Sequence, residues 1–441
     1  SGTSGAVMYI PVVVDDTLEG DYTVKLTSVQ LGDSDANLIN CPYVETTITV
    51  EQYTLGDVNN DGQIAPNDIT LPVKAYLGDS TTDIVFKAAD MNANGEVDPA
   101  DITAVVKLYL SEGAAAPVAN KPLAKVKKKA ESIVATDDVF LSSVMVEQGG
   151  DCLLEFSMNI KRDDYTGLGG IITIPEGFSF ALNSKGKLVV TKNNELLEYH
   201  TLSPYQLNDK QMKFSIHSGD LDLIESGKNV LFTVKVKVDS DVKAGNFGYT
   251  LTKLQLSDYD ANLYDAADTK GTLRVLGTET IAFTIPSAGW ATLCLPFDAT
   301  LPANVKAYKA IKLNGNEVVL QEQASIAAKT PLIMNGAAGT YTFVGDNSGA
   351  TEFMYSDALL SGVLEEKQPT VGSYVLQNQN GKTAFYCYTD SNKAKLGSYR
   401  CYLSGTSDIA NISKVVYLAD DPTKINSLLS ETNTVKVYNS K

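Results

Sequence analysis

Hydrophobic and polar residues alternate along most of the chain with the period of two that is typical of β-strands. Clear examples are residues 22–29, 151–159 and 229–238, which are bounded by the Gly, Asp and Asn residues that favour turns. Between residues 57 and 110 the pattern changes, because two acidic loops rich in Asn and Gly are each followed by apolar residues at helical spacing. The pattern predicts a mainly β, multi-domain protein of β-sandwiches with a small all-α unit inserted between them.

Two helices are predicted in this helical unit, one after each loop, and no helix is expected before a loop. The apolar residues of each helix lie on one face. They are Ile69, Val73, Tyr76 and Leu77 in the first helix and Ile102, Val106, Tyr109 and Leu110 in the second. Pro99 suits a first helical turn with Asp98 as its N-cap, whereas Pro72 lies deeper and should weaken or bend its helix. Two short helices bury little apolar surface, so we expect this unit to need bound metal to fold.

The two acidic loops have the spacing of calcium ligands and repeat without a gap 33 residues apart, from Asp57 to Asp90. Calcium takes about six to eight oxygen ligands, and alternate residues of one loop can surround a single ion. A Gly at position 6 of each loop permits the sharp turn. The predicted ligands are Asp57, Asn59, Asp61, Gln63 and Asp68 in the first loop and Asp90, Asn92, Asn94, Glu96, Asp98 and Asp101 in the second; Gln63 and Glu96 would contribute backbone carbonyls.

A second repeat relates residues 20–38 (GDYTVKLTSVQLGDSDANL) to residues 245–263 (GNFGYTLTKLQLSDYDANL), 225 positions further along. We interpret both segments as the closing hairpin of one type of module. The second copy ends a module of about residues 133–277, while the first has little sequence before it, so the chain is expected to begin within a module. That arrangement would leave a sheet edge available for pairing with another chain. The shared DxDANL turn either holds a cation or is a solvated turn, and the solvated turn is favoured.

Charge excludes several classes of function. The chain has 36 Lys and Arg against 53 Asp and Glu, for a net charge of −17, and so acidic a surface disfavours nucleic acids and anionic membranes.

With two histidines, His200 and His217, a multi-histidine metal site is excluded. No apolar run is long enough to cross a bilayer, and the first residues have no signal-peptide pattern.

The five cysteines form no CxxC pair, which argues against zinc-ribbon and thioredoxin-like sites. Cys387 and Cys401 flank a turn-like stretch and could be cross-strand neighbours, so a disulfide or two separate thiols are both open. No catalytic residues are predicted, because no nucleophile motif or phosphate-binding loop is found. Trp290 is expected to pack in a core and not to serve as a sugar platform.

The loops and their exit helices closely resemble a type I dockerin, the calcium-dependent docking module of extracellular bacterial polysaccharide-degrading complexes. The resemblance covers residues 53–113 and implies two calcium ions and a protein partner of cohesin-like fold. Both loops end in Asp at position 12, where a standard EF-hand has the longer Glu. The family's recognition positions correspond to Pro66, Asn67, Val73 and Lys74 in the first repeat and to Pro99, Ala100, Val106 and Lys107 in the second.

Residues 133–277 and, by the repeat, residues 1–50 resemble the β-sandwich of cohesins and related carbohydrate-binding modules, and residues 278–420 resemble an all-β accessory module from surface proteins of gut Bacteroidetes. We predict the C-terminal part of a cohesin-like sandwich in residues 1–52, a linker in 114–132 and a cohesin-like, Ig-like sandwich in 133–277. An all-β accessory module is predicted in residues 278–420, followed by a tail, 421–441, that is similar to the start of a sorting domain.

Two functions are compatible with these features. The first is a non-catalytic scaffold or adhesion protein, secreted or on the cell surface, in which the dockerin-like unit binds a cohesin-like partner in cis or in trans. The alternative is a carbohydrate-binding accessory part of a polysaccharide-degrading enzyme or complex. A glycan signal that survives mutation of the docking face would favour the alternative.

Overall fold

The computed structural model describes residues 20–32, 37–40, 43–50, 53–79, 84–112, 133–314, 317–389, 395–404 and 415–418. Cys41, the predicted linker and the predicted tail lie outside these residues. Among the described residues no helix is long and apolar enough to span a membrane.

Two antiparallel strand pairs precede the helical unit. Their strands are β1 (Gly20–Leu26), β2 (Gln30–Gly32), β3 (Leu38–Asn40) and β4 (Val44–Val50). β1 pairs with β4 and β2 pairs with β3. The two pairs are nested, since β2 and β3 lie between β1 and β4 in the sequence, and together they are called the hairpin of residues 20–50.

The helical unit contains α1 (Pro66–Leu77), α2 (Phe86–Ala89) and α3 (Pro99–Glu112). α1 runs through Pro72 without a break. Asp98 caps α3, because its carboxylate accepts the backbone N–H of Ala100 at 2.7 Å. The prediction of no helix before a loop is wrong for the second loop, since the one-turn α2 precedes it and buries Ala88 and Ala89.

Residues 133–277, the sandwich module, form two sheets around one apolar core. The strands are β5 (Ile133–Val134), β6 (Asp138–Leu141), β7 (Val144–Glu147), β8 (Asp151–Ile160), β9 (Tyr165–Thr173), β10 (Phe178–Phe180), β11 (Val190–Lys192), β12 (His200–Asn208), β13 (Gln211–Ser218), β14 (Gly227–Val238), β15 (Gly245–Asp258), β16 (Leu263–Asp265) and β17 (Thr269–Leu276). The five-stranded sheet has the order β10-β14-β8-β6, with β11 also on β14. In the eight-stranded sheet β9 lies between β13 and β15. The alternation of buried and exposed residues along β8 follows its sequence pattern.

The remaining strands belong to the C-terminal β module. They are β18 (Thr278–Ile285), β19 (Trp290–Leu293), β20 (Val305–Asn314), β21 (Glu317–Gln323), β22 (Leu332–Gly336), β23 (Gly339–Asp346), β24 (Met354–Asp357), β25 (Leu360–Val363), β26 (Tyr374–Gln379), β27 (Lys382–Cys387), β28 (Arg400–Leu403) and β29 (Val415–Leu418). β18 pairs with β23, and the others form a ten-stranded sheet. Trp290 packs against Tyr308 at the edge of a core, at 6.0 Å between ring centroids. The prediction of a mainly β fold with a small helical unit is confirmed.

Cys387 and Cys401 are not cross-strand neighbours, because β26 lies between β27 and β28 in the sheet order. Both are free thiols. The turn-like sequence between them therefore does not join two paired strands.

A buried ion pair joins the sandwich module to the C-terminal β module. Arg274 Nη2 lies 2.5 Å from a carboxylate oxygen of Glu279, and both side chains are almost fully buried. Glu279 also accepts hydrogen bonds from Asn347, at 2.8 Å, and from Tyr399. Burying a charge pair is energetically costly unless further hydrogen bonds satisfy both charged groups. Here Asn347 and Tyr399 donate to Glu279, and Arg274 donates to Asn246.

Candidate calcium loops and docking surface

The first loop is organised by two carboxylates at its ends. The Asp57 carboxylate accepts the backbone N–H groups of Asp61 at 3.0 Å and Gly62 at 2.8 Å. The Asp68 carboxylate accepts those of Val58 at 2.7 Å and Ala65 at 2.9 Å. Both aspartates are almost completely buried, so the two ends of the loop are held at one centre.

The second loop repeats this network. The Asp90 carboxylate accepts the backbone N–H groups of Asn94 at 3.0 Å and Gly95 at 2.9 Å. The Asp101 carboxylate accepts those of Asn92 at 3.1 Å and Asp98 at 2.9 Å. The sequence repeat is therefore also a repeat of the loop conformation.

Backbone torsions show the same correspondence. Asn60 and Ala93 have φ of 55° and 58°, and Gly62 and Gly95 have φ of 87° and 91°. The left-handed region is accessible to glycine with little strain, which explains the Gly at position 6. The side-chain oxygens of positions 3 and 5 each accept the backbone N–H two residues further on, in both loops.

Burial of the loop carboxylates is electrostatically costly. Desolvation raises the pKa of Asp68, and it raises the pKa of Asp98 and Asp101, which lie close together. For Asp101 the neighbouring Asp98 carboxylate is the second cause of the raised pKa. Each loop thus concentrates negative charge that a cation would compensate.

The residues of both loops fit calcium by their chemistry. The side chains at positions 1, 3, 5 and 12 carry carboxylate and amide oxygens, the hard ligands that calcium prefers. Among the described residues no three His, Cys, Asp or Glu side chains form a metal cluster. The loops instead alternate Asp with Asn and backbone groups, and the side chains of Gln63 and Glu96 are exposed at position 7.

The helices α1 and α3 pack on the eight-stranded sheet of the sandwich module. Ile69, Val105 and Val106 form one apolar cluster with Leu221 of the sandwich module. A second cluster combines Val73, Tyr76, Leu77 and Ile102 with Tyr205 of β12. The apolar faces predicted from the sequence are therefore buried against a sheet, except that Leu110 is 44% exposed.

Glycine in β9 permits the close approach of α1. A Cβ atom on Gly169 would lie 2.4 Å from the Tyr76 hydroxyl oxygen, a distance at which atoms overlap. The Lys213 ammonium lies 3.7 Å from the centroid of the Tyr76 ring, which is a cation–π contact. Burial lowers the pKa of Lys213 to about 8, and the positive charge of Lys253 acts in the same direction. Tyr76 therefore occupies a slot bounded by Gly169 and Lys213.

α3 is joined to the sandwich module by buried hydroxyl groups. Thr103 shares a hydrogen bond of 2.7 Å with Ser257 of β15 and one of 3.2 Å with Thr166 of β9. All three side chains are buried. These contacts fix the position of α3 along the sheet, because a shift would leave buried hydroxyls without partners.

At the rim of this surface α3 makes a charged contact. Lys107 Nζ lies 2.9 Å from a carboxylate oxygen of Asp260 and 5.0 Å from the centroid of the Tyr259 ring. The Asp258 side chain holds the turn by accepting the backbone N–H groups of Asp260 and Asn262, which makes it an Asx-type turn. Asp258 itself is almost fully buried and also accepts the Tyr264 hydroxyl, so the expectation of a solvated turn does not hold at this residue. Both partners of the charged pair are largely exposed, so it contributes at most about 1 kcal/mol.

We predict that Thr103→Val weakens the contact between the helical unit and the sandwich module by about 1 kcal/mol, or roughly fivefold, because Ser257 loses a buried partner. Hydrogen exchange of the α3 and β15 amides should accelerate accordingly. Thr70→Val is the matched control, since Thr70 is the equivalent residue of the first repeat and is exposed. Equal acceleration by the two variants would contradict the role of the buried hydroxyl cluster.

The predicted partner-binding residues of the two repeats lie in different environments. From the second repeat Pro99, Ala100 and Val106 are buried, and Lys107 is the rim contact. From the first repeat Val73 is buried, whereas Pro66, Asn67 and Lys74 are exposed. The second repeat therefore supplies most of the charged and polar contact with the sandwich module.

Sequence reasoning missed Tyr76 and Thr103 as contact residues, together with the sandwich residues opposite them. One signal for the sheet face was present, because β9 carries the glycines Gly167, Gly169 and Gly170, and glycine within a strand marks close backbone approach. Thr103 also recurs as Thr70 in the first repeat.

Comparison with known families identifies the helical unit. Residues 55–110 match the family model of the Dockerin type I domain, so this segment is a type I dockerin, and the prediction of a dockerin is confirmed. Dockerin type I domains bind calcium and occur in extracellular or cell-surface proteins. No curated protein matches the chain.

Solved structures similar to this chain include several cohesins. A non-cellulosomal cohesin from the archaeon Archaeoglobus fulgidus is 21% identical, covers 32% of this chain and 92% of its own, and has a TM-score of 0.27. A chain of a type I cohesin–dockerin complex from Clostridium thermocellum is 13% identical, covers 34% of this chain and 98% of its own, and has a TM-score of 0.27. The cohesin module of a family 33 glycoside hydrolase from Clostridium perfringens is 12% identical, covers 33% of this chain and 98% of its own, and has a TM-score of 0.27.

Proposed function

We propose that the dockerin of residues 55–110 docks in cis on the sandwich module, which acts as its cohesin-like partner. Docking is calcium-dependent, with one ion in each loop and hence two per chain. The ligands are the loop residues predicted from the sequence, from Asp57 to Asp68 and from Asp90 to Asp101.

The observation that carries this proposal is the contact of α1 and α3 with the eight-stranded sheet. It combines apolar clusters with a glycine slot, a buried hydroxyl cluster and a charged rim. An apolar centre surrounded by polar contacts is the usual anatomy of a specific interface. The Asp68 and Asp101 carboxylates join the loops to the first turns of α1 and α3, so calcium bound in the loops would fix the helices that make this contact.

We further propose that the whole chain is a scaffold or adhesion protein, secreted or on the cell surface, without catalytic activity of its own. The dockerin supports this role because such domains join proteins to one another. The all-β modules on either side of it are suited to presenting binding surfaces, and the strong negative charge suits a soluble extracellular protein.

Zero-length carbodiimide cross-linking tests docking in cis. The Lys107 ammonium and the Asp260 carboxylate lie within 2.9 Å and should be joined by an amide bond that mass spectrometry detects. The Lys25–Glu45 pair, at 2.8 Å within one hairpin, provides an internal positive control. We expect the Lys107–Asp260 product in calcium and its loss after chelation.

A mixture of isotopically light and heavy chains separates docking in cis from docking in trans. Docking in cis gives a cross-linked product in which both peptides carry the same label. Mixed-label products would contradict docking in cis, and a Lys25–Glu45 product without any Lys107–Asp260 product would contradict docking altogether. A Lys74–Asp260 product would show that the first repeat takes the position assigned to the second.

A further inference from the structure

The hairpin of residues 20–50 has the same strand register as residues 245–275 of the sandwich module. In the first copy Gly20, Tyr22 and Leu26 oppose Val50, Ile48 and Val44. Adding 225 to each number gives the pairs Gly245–Val275, Phe247–Leu273 and Leu251–Thr269, which are those of β15 and β17. The short pairs correspond as well, since Leu31 opposes Ile39 and Leu256 opposes Tyr264.

The irregularity in the long strand is also duplicated. Ser28 has φ of 58° and its counterpart Lys253 has φ of 50°, both in the left-handed region that few non-glycine residues adopt. In the sandwich module this residue sits at a bulge where the pairing of β15 with β9 shifts. The first copy therefore has the backbone shape that β15 uses to accept β9.

The environments of the two copies differ. Leu251 and Leu256 are fully buried in the sandwich core, whereas their counterparts Leu26 and Leu31 are 48% and 56% exposed. β9 pairs with β15 from Thr250 to Asp258. In the part of the chain that the structure describes, no strand pairs with the corresponding edge of β1 and β2.

Several residues that pair with β9 in the sandwich module are preserved in the first copy. Leu26, Thr27, Gln30 and Leu31 are identical to Leu251, Thr252, Gln255 and Leu256, which are the residues that pair with β9. Glycine in β9 suits this pairing, because a Cβ atom on Gly170 would lie 3.1 Å from a side-chain carbon of Leu251 and 3.4 Å from the Leu254 backbone, so the leucine would have to shift. The same leucine in the first copy favours a glycine in the strand opposite it.

We propose that the edge formed by β1 and β2 binds an antiparallel strand of the β9 type, in which glycines alternate with aliphatic residues. The partner is a polypeptide with such a strand at the rim of an apolar sheet, and its addition completes a second sandwich. Main-chain hydrogen bonds supply affinity and the glycine positions supply specificity. The proposal does not depend on calcium or on docking of the dockerin.

A fluorescent peptide with the sequence of residues 164–174, DYTGLGGIITI, tests this assignment on the full chain. We expect saturable binding and slower hydrogen exchange of the amides of residues 25–32. Leu31→Asp should weaken binding at least tenfold, because it puts a charge on the edge. Leu153→Asp is the matched control, since Leu153 is 52% exposed on the sandwich module and should leave binding unchanged.

The Leu31→Asp variant also shows whether the peptide binds the edge of β1 and β2 or replaces β9 beside β15. Peptide that displaced β9 from its own sheet would bind Leu31→Asp as tightly as the unmodified chain, and that result would overturn the proposal. Absence of saturable binding would overturn it as well. Concentration-dependent dimerisation that Leu31→Asp abolishes, without peptide binding, would assign the edge to a second copy of the chain and not to the proposed partner.

Discussion

Replacing Asp57 and Asp90 together by alanine should unfold the dockerin and release it from the sandwich module. Each carboxylate holds two backbone N–H groups of its loop and lies at position 1 of the predicted calcium site. Besides the single turn of α2, the dockerin has two short helices and little core of its own, so we expect metal binding to be coupled to its folding. With free calcium at about 100 times Kd, each ion stabilises the folded state by about 2.7 kcal/mol.

Titration calorimetry and far-ultraviolet circular dichroism measure this effect. We expect two calcium ions per unmodified chain, one in either single variant and none in the double variant, which should also lose helical signal and the Lys107–Asp260 cross-link. The matched control replaces Asp163 and Asp209, two exposed aspartates of the sandwich module, so that the net charge changes equally. Full helicity and docking in the double variant or in chelator would contradict metal-coupled docking.

The loops and the helices were predictable because their information is local. Each loop residue acts within about a dozen positions of its partners, as in the contact between Asp57 and Gly62. The apolar spacing in α1 and α3 likewise fixed which faces would be buried. α2 was not predictable by the same means, since Phe86–Ala89 is a single turn that is too short to show a period.

The docking surface was not predictable in the same way, because its two sides are far apart in the sequence. Thr103 and Ser257 are separated by 154 residues, and no local pattern couples them. The two repeats are nearly symmetric in sequence, so the sequence does not show which of them faces the sandwich module. Pro66, Asn67 and Lys74 of the first repeat were predicted to bind a partner, yet they are exposed. The glycines of β9 indicated close approach, but the element that approaches them is defined only by the fold.

The repeat that relates residues 20–38 to residues 245–263 was predictable in part. Its sequence identity predicted a common hairpin, and the shared register of β1 with β4 and of β15 with β17 agrees with that interpretation. Burial could not be predicted from the repeat, because Leu26 and Leu251 are identical residues with different surroundings. Such a difference depends on which other strands are present and not on the hairpin itself.

The second large effect is expected from Gly169→Val, which should displace the dockerin without unfolding the sandwich module. Any Cβ atom at this position would overlap the Tyr76 hydroxyl group, so Tyr76 would have to leave its buried position and its 3.7 Å contact with the Lys213 ammonium. We expect a loss of about 3 kcal/mol in docking, more than a hundredfold in the ratio of docked to undocked chains. In the undocked state the valine faces solvent on a β-strand, where it is well tolerated.

Hydrogen exchange and the yield of the Lys107–Asp260 cross-link measure the displacement. Gly248→Val is the matched control, because Gly248 lies in β15 with nothing within 4 Å of its Cβ position. A double-mutant cycle with Tyr76→Ala attributes the effect to the slot, since the cost of Gly169→Val should largely disappear once the phenol is gone. An undiminished cost in the Tyr76→Ala background would mean that valine acts on the sheet itself, and unchanged docking in Gly169→Val would mean that α1 does not bind this face.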